Sequence, residues 1–134
     1  MAKQNRVFDS WALIAFLEDE PAAEKIEHLI AQAHETDSEL WVTSVNLGEV
    51  WYSFARSRSD ADADKAITEI LGLGFQMVDV DWELAQKAAV LKARHRIAYA
   101  DCFAAALADS RNVEVVTGDP AFRQFPKQVK VLWV

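Results

Sequence analysis

Asp9, Glu49, Asp101 and Asp119 are the residues of this sequence best placed to do chemistry together. Asp9 directly follows a branched and aromatic run, Arg6-Val7-Phe8, and Asp119 follows another, in the turn Thr117-Gly118-Asp119-Pro120. Asp101 falls in the first turn of a predicted helix, and Glu49 lies inside another. Carboxylates gathered within a few ångströms raise one another's pKa values, so they cannot all stay ionised at neutral pH without a compensating cation. Oxygen donors with no His or Cys among them suit Mg2+ or Mn2+ rather than zinc. If the four acids converge, the site is one for a hard divalent cation.

Each acid also has a plainer use. Asp is a favoured helix cap, so Asp9 before Ser10 fits a helix start equally well. Asp119 before Pro120 makes a cap followed by an N1 proline, and Asp101 complements the dipole of its helix. Glu49 is the weakest candidate, because at about 100° per residue it falls well off the apolar stripe of Leu47, Val50, Trp51 and Phe54. Spacing alone places it in solvent. What favours a shared site is joint placement, since ligands bind outside the carboxyl ends of parallel strands.

The elements that must position these acids are legible as an alternation. Five β-rich runs stand at residues 6–8, 40–43, 75–80, 113–117 and 129–133. Between them, Pro21 opens a helical pattern that runs to His34, and Ser44 is placed to cap a helix carrying Glu49. Ser59 with Asp62 resembles a capping box for a helix that Gly72 and Gly74 stop. Two further helices are predicted over 82–94 and 99–110, and the chain re-enters a helix after Asp119-Pro120. Strands alternating with helices imply right-handed crossovers and a mainly parallel sheet covered on both faces, an α/β sandwich.

Length and composition bound the function. A chain of 134 residues is one domain's worth, and 51% hydrophobic with 26% charged residues excludes a disordered or low-complexity chain. The lone Cys102 leaves no internal disulfide and points to a reducing, cytoplasmic setting. No apolar run approaches the roughly 20 residues that span a bilayer. A net charge of −7 argues against a binder held to polyanions by charge alone, yet four of those charges belong to the candidate site. Substrate binding to such a site should therefore depend on the cation.

Val-Phe-Asp-Ser at 7–10, Thr-Ser-Val-Asn-Leu-Gly-Glu-Val at 43–50, Tyr-Ala-Asp-Cys-Phe-Ala-Ala-Ala-Leu-Ala at 99–108 and Val-Val-Thr-Gly-Asp-Pro-Ala-Phe at 115–122 occur in that order. Together they resemble the PIN-domain ribonucleases, particularly the VapC-type toxins of toxin–antitoxin pairs, over nearly the whole chain. The resemblance implies one PIN-like nuclease domain over residues 1–134, a three-layer α/β/α sandwich with a mainly parallel sheet of about five strands, the first central. It places the family's four acids on Asp9, Glu49, Asp101 and Asp119, with hydroxyl support from Ser10 and Thr117, and turns Glu49 toward the cleft. It implies metal-dependent hydrolysis of RNA phosphodiesters with Mg2+ or Mn2+, with Asp9 and Asp101 as principal ligands. A homodimer and a cognate antitoxin that occupies the cleft are implied as partners.

RNA must still be held by an acidic chain. Lys92, Arg94, His95 and Arg96 form the densest basic cluster and Arg56 and Arg58 a second candidate pair, each of which also suits a helix C-terminus; Arg123 is a further candidate. Of the five tryptophans, Trp41, Trp51 and Trp133 fit core packing, whereas Trp11 and Trp82 are undetermined. Two other classes compete. A phosphotransfer domain of receiver or phosphatase type also places an Asp after its first strand, but a phosphatase wants a second acid where this chain has Trp11, and Lys130 is only a nominal match for a receiver lysine. A catalytically silent interaction module is disfavoured by the presence of all four acids.

Overall fold

The computed structural model describes residues 3–134. Branched and aromatic runs form strands β1 Arg6–Phe8, β2 Leu40–Thr43, β3 Phe75–Val78, β4 Glu114–Thr117 and β5 Val131–Trp133. They pair in parallel in the order β3-β2-β1-β4-β5, with β1 central. Side chains alternate across a pleated strand. Phe8, Leu40, Val42, Phe75 and Val116 accordingly enter one core, and Val7, Trp41 and Val115 enter the other.

Helices α1 Ser10–Leu17, α2 Ala23–Glu35, α3 Ser44–Ser57 and α4 Asp60–Gly72 cover the first face. Helices α5 Trp82–Arg94 and α6 Tyr99–Arg111 cover the second, completing a three-layer α/β/α sandwich. α6 is buried continuously from Asp101 to Ala108, because the alanines at 104–106 let its backbone approach the sheet closely.

Several boundaries differ from the sequence-based expectation, each for a local reason. Val113 is outside β4 because its N–H bonds back to Ala108 O, closing the end of α6 behind the left-handed Asn112. Val129 belongs to a turn, its N–H donating to Pro126 O, so β5 starts later than the apolar run does. α2 begins at Ala23 instead of Pro21, and Thr43 instead of Ser44 caps α3, its Oγ1 accepting from Asn46 N at 3.0 Å. Asp119-Pro120 opens a 3-10 turn, Pro120–Gln124, rather than an α-helix. Ser59 does cap α4, and Gly74, at φ +96°, turns the chain out of it.

Candidate active site

Chain order reverses across the sheet between β1 and β4, which opens a crevice at the carboxyl ends of these neighbouring strands. Asp9 leaves β1 there, and Asp119 leaves β4 two residues past Thr117. α3 starts directly after β2, the other neighbour of β1, and carries Glu49; the first turn of α6 carries Asp101.

Asp9 is fully buried and uses both oxygens. Its Oδ1 accepts the N–H of Ala12 at 2.9 Å, capping α1, and its Oδ2 accepts the hydroxyl of Thr117. That hydroxyl oxygen in turn accepts the N–H of Asp119 at 3.0 Å, and Asp119 Oδ1 accepts the N–H of Ala121 at 2.9 Å. The capping and site readings of Asp9 and Asp119 are thus compatible, because a cap occupies one lone pair and a carboxylate has about four.

Glu49 is half-buried rather than freely solvated. Its Oε1 accepts from Ser10 Oγ at 2.7 Å and from Asn46 Nδ2 at 3.2 Å. The helical wheel misses this because the face of α3 that lies off the apolar stripe abuts polar groups of α1 and α6. Asn46, which sequence reasoning passed over, also meets the candidate site through Glu49, and it carried a signal: it stands four residues before Val50 and eight before Phe54, a polar group on a buried stripe. Such a group must find partners.

Electrostatics tie the four acids together. Burial raises the Asp9 carboxyl to about 8 against the lowering hydrogen bonds of Thr117 and Ala12, and repulsion from Asp101 and Asp119 adds to the rise. Burial likewise raises Asp101 to about 7, with repulsion from Asp119 and Glu49 adding to it. Among the described residues the ion pairs are Arg6–Glu114 at 3.1 Å and Arg58–Glu18 at 2.7 Å, and neither serves these acids. Nor do any three Asp, Glu, His or Cys side chains among the described residues close into a ready-made cage. The donor set fits a hard divalent cation, since it offers only oxygens, paired among the described residues with no cationic side chain, in an open arrangement that suits an ion retaining several waters.

The basic candidates fall in two places. Lys92 Nζ donates to Ile97 O at 2.8 Å, and with Arg94, His95 and Arg96 it lines an open groove of about 560 Å³ just before the first turn of α6. Arg94 and Arg96 are exposed. Arg56 lies over Tyr52, whereas Arg58 pairs with Glu18 and lies over Phe54, both at the end of α3 remote from Glu49. Arg123 lies over Trp133. Trp82 is 73% exposed, and Trp11, at 37%, packs on Gly118, where an added Cβ would come within 2.2 Å of its ring. Gly118 is thus required by the missing side chain and not by an unusual φ.

A family model of the PIN domain matches residues 6–128. Among solved structures, the chain is similar to DNA-bound VapBC from Salmonella typhimurium, with a TM-score of 0.76 at 19% identity over 96% of this chain and 97% of that one. VapBC2 from Rickettsia felis, bound to a DNA fragment from its promoter, superposes with a TM-score of 0.75 at 15% identity, covering 96% and 98%. VapC20 from Mycobacterium tuberculosis, a Sarcin-Ricin loop cleaving toxin, gives 0.72 at 16% identity, covering 89% and 93%. No match is found among curated protein sequences.

Proposed function

The chain belongs to the PIN-domain family, and from that premise we propose that it is a metal-dependent endoribonuclease, the toxin of a toxin–antitoxin pair. The observation that carries this reading is the gathering of four acids at the carboxyl edge of the sheet, where Thr117 joins Asp9 to the backbone of Asp119 and Asn46 joins Glu49 to the backbone before Asp101, and where, among the described residues, no cationic side chain pairs with them. A phosphotransfer reading gains nothing from the geometry, since position 11, where a phosphatase needs its second acid, holds an indole packed on Gly118.

Asp9 and Asp101 are the principal residues to hold Mg2+ or Mn2+, with Asp119 and Glu49 completing the set or orienting the attacking water. When bound, such an ion polarises the phosphate and lowers the pKa of a coordinated water. Thr117 keeps Asp9 oriented through its hydroxyl, and Ser10 does the same for Glu49. The water gives up a proton as its oxygen bonds to phosphorus, the P–O bond to the leaving ribose oxygen breaks, and that oxygen takes up a proton, leaving a phosphate monoester and a hydroxyl. Lys92, Arg94 and Arg96 meet flanking phosphates beside Asp101; Arg56 is a further contact, while Arg58 must first leave Glu18.

Structures of VapBC pairs among the neighbours support a cognate antitoxin as partner. A homodimer is part of the same proposal. Among the described residues no helix is long and apolar enough to cross a membrane. A reducing, cytoplasmic setting belongs to the proposal and is supported by the single thiol, Cys102, which is free and buried. The test is incubation of pure protein with a mixed RNA pool, with Mg2+, Mn2+ or a chelator, beside folded Asp9→Ala and Asp101→Ala variants. Metal-dependent cleavage lost in both variants is expected. Cleavage that survives in them overturns the site, and absence of cleavage by the wild type overturns the activity.

A further inference from the structure

Asn46 is fully buried, and every polar atom of its side chain is engaged. Its Oδ1 accepts the hydroxyl of Thr43 at 2.6 Å, while Thr43 Oγ1 accepts the N–H of Asn46 at 3.0 Å. Its Nδ2 donates twice, to Glu49 Oε1 at 3.2 Å and to Ala100 O at 3.1 Å. Both of those partners are acceptors only, so the amide has one workable orientation, with NH2 toward Glu49. Thr43 is itself fully buried at the end of β2, which anchors the other end of the amide to the sheet.

The consequence concerns two acids at once. Ala100 is the residue before Asp101, so a single amide spans from the carboxylate of Glu49 on α3 to the backbone that carries Asp101 on α6. These two acids repel each other across the crevice. Without a strut, the chain would relieve that repulsion by swinging Glu49 into solvent, a low-cost move for a side chain on a helix surface. Ser10 donates to the same Oε1 from α1, but it reaches neither α6 nor Asp101.

We propose that Asn46 is a positioning residue for the divalent cation: it holds Glu49 and Asp101 at a fixed separation, so that ion affinity depends on this amide as well as on the carboxylates. The inference rests on the proposed metal site. Residues that orient ligands in this way typically change metal affinity by 10–100-fold when lost.

The test is Mn2+ titration by calorimetry on four folded proteins: wild type, Asn46→Ser, Glu49→Ala and the double variant, with thermal unfolding to verify the fold. Asn46→Ser is expected to weaken Mn2+ binding about tenfold, and to add no further loss in the Glu49→Ala background. Unchanged affinity in Asn46→Ser, or an equal loss in both backgrounds, overturns the positioning role, the second outcome marking a merely structural one. A wild type that binds no Mn2+ overturns the metal site, and the Asn46 inference with it. Should Asn46→Ser fail to fold, the side-chain NH2 resonances of Asn46 in 15N-labelled wild type decide: a shift on saturation with Mg2+ is expected, and resonances unmoved while Asp101 shifts overturn the proposal.

Discussion

The hydroxyl of Thr117 donates to Asp9 Oδ2 across 108 positions of sequence while its oxygen accepts the N–H of Asp119. One side chain at the end of β4 thereby orients an acid on the neighbouring strand and the loop that carries another. Asp9 is fully buried, so its hydrogen bonds decide how much of its charge the fold tolerates.

Thr117→Val keeps the β-branched shape and removes the hydroxyl, leaving a buried oxygen of the Asp9 carboxyl without its partner. Stability at neutral pH should fall by about 1–3 kcal/mol. Urea unfolding measures this, and an unchanged midpoint would show that the Thr117 bond contributes nothing.

Asp9 and Asp101 set the pH dependence of the metal-free protein. Their folded-state pKa values lie above the ordinary 3.8, at about 8 and about 7. Over that interval the folded state holds more protons than the unfolded chain, so stability is fullest below pH 3.8 for these two groups and is lost as pH rises through 7 and 8. Melting curves with chelator should show this decline, and Mg2+ should flatten it. A Tm that climbs with pH under chelator contradicts the assignment.

Asp101→Asn should separate stability from activity. It removes a desolvated charge that Asp119 and Glu49 repel, so the metal-free variant at pH 8 should melt above the wild type, while RNA cleavage drops to the level of the chelator control. Parallel calorimetry and cleavage assays check both halves.

Gly118→Ala places a Cβ within 2.2 Å of the Trp11 ring. The indole must shift, at a cost of about 1–3 kcal/mol. Trp11→Leu should recover most of that loss in the double variant. Additive losses, read by thermal unfolding, would mean that the two residues do not meet.

Arg94→Glu with Arg96→Glu should weaken single-stranded RNA binding and flatten its salt dependence by about 0.7 in logarithmic slope per lost phosphate contact. Mn2+ affinity should stay unchanged. Equal slopes for wild type and variant would remove the groove at residues 92–98 from the substrate path.

Much of the architecture is legible in the linear chain because it depends on local periodicity. The alternation of branched runs with 3.6-residue apolar stripes is enough to predict an α/β sandwich, and β1, β2 and α5 fall where their patterns place them. Boundaries slip wherever a turn recruits an apolar residue: Val113 and Val129 have strand composition, but their amides close a helix end and a turn. Strand order came through resemblance to a family, since the hydrophobic pattern of a strand carries no record of its neighbour.

The site divides in the same way. Asp9 and Asp119 were legible because each directly follows or nearly follows a strand, and every parallel strand delivers its end to one edge. Periodicity alone does not yield Glu49, which enters through the family resemblance, or Asn46, because spacing within a helix tells which residues share a face but not what that face meets. α3 is set beside α1 and α6 by the β2-β1-β4 order, and only there does Glu49 find Ser10 and Asn46 find the backbone before Asp101. By itself, then, the sequence determined the residue types, the elements and the acidity of this protein, all properties of neighbours along the chain. Which acids share one field, and which amide holds them apart, is decided by strand pairing and helix packing, because both join residues that local periodicity cannot relate.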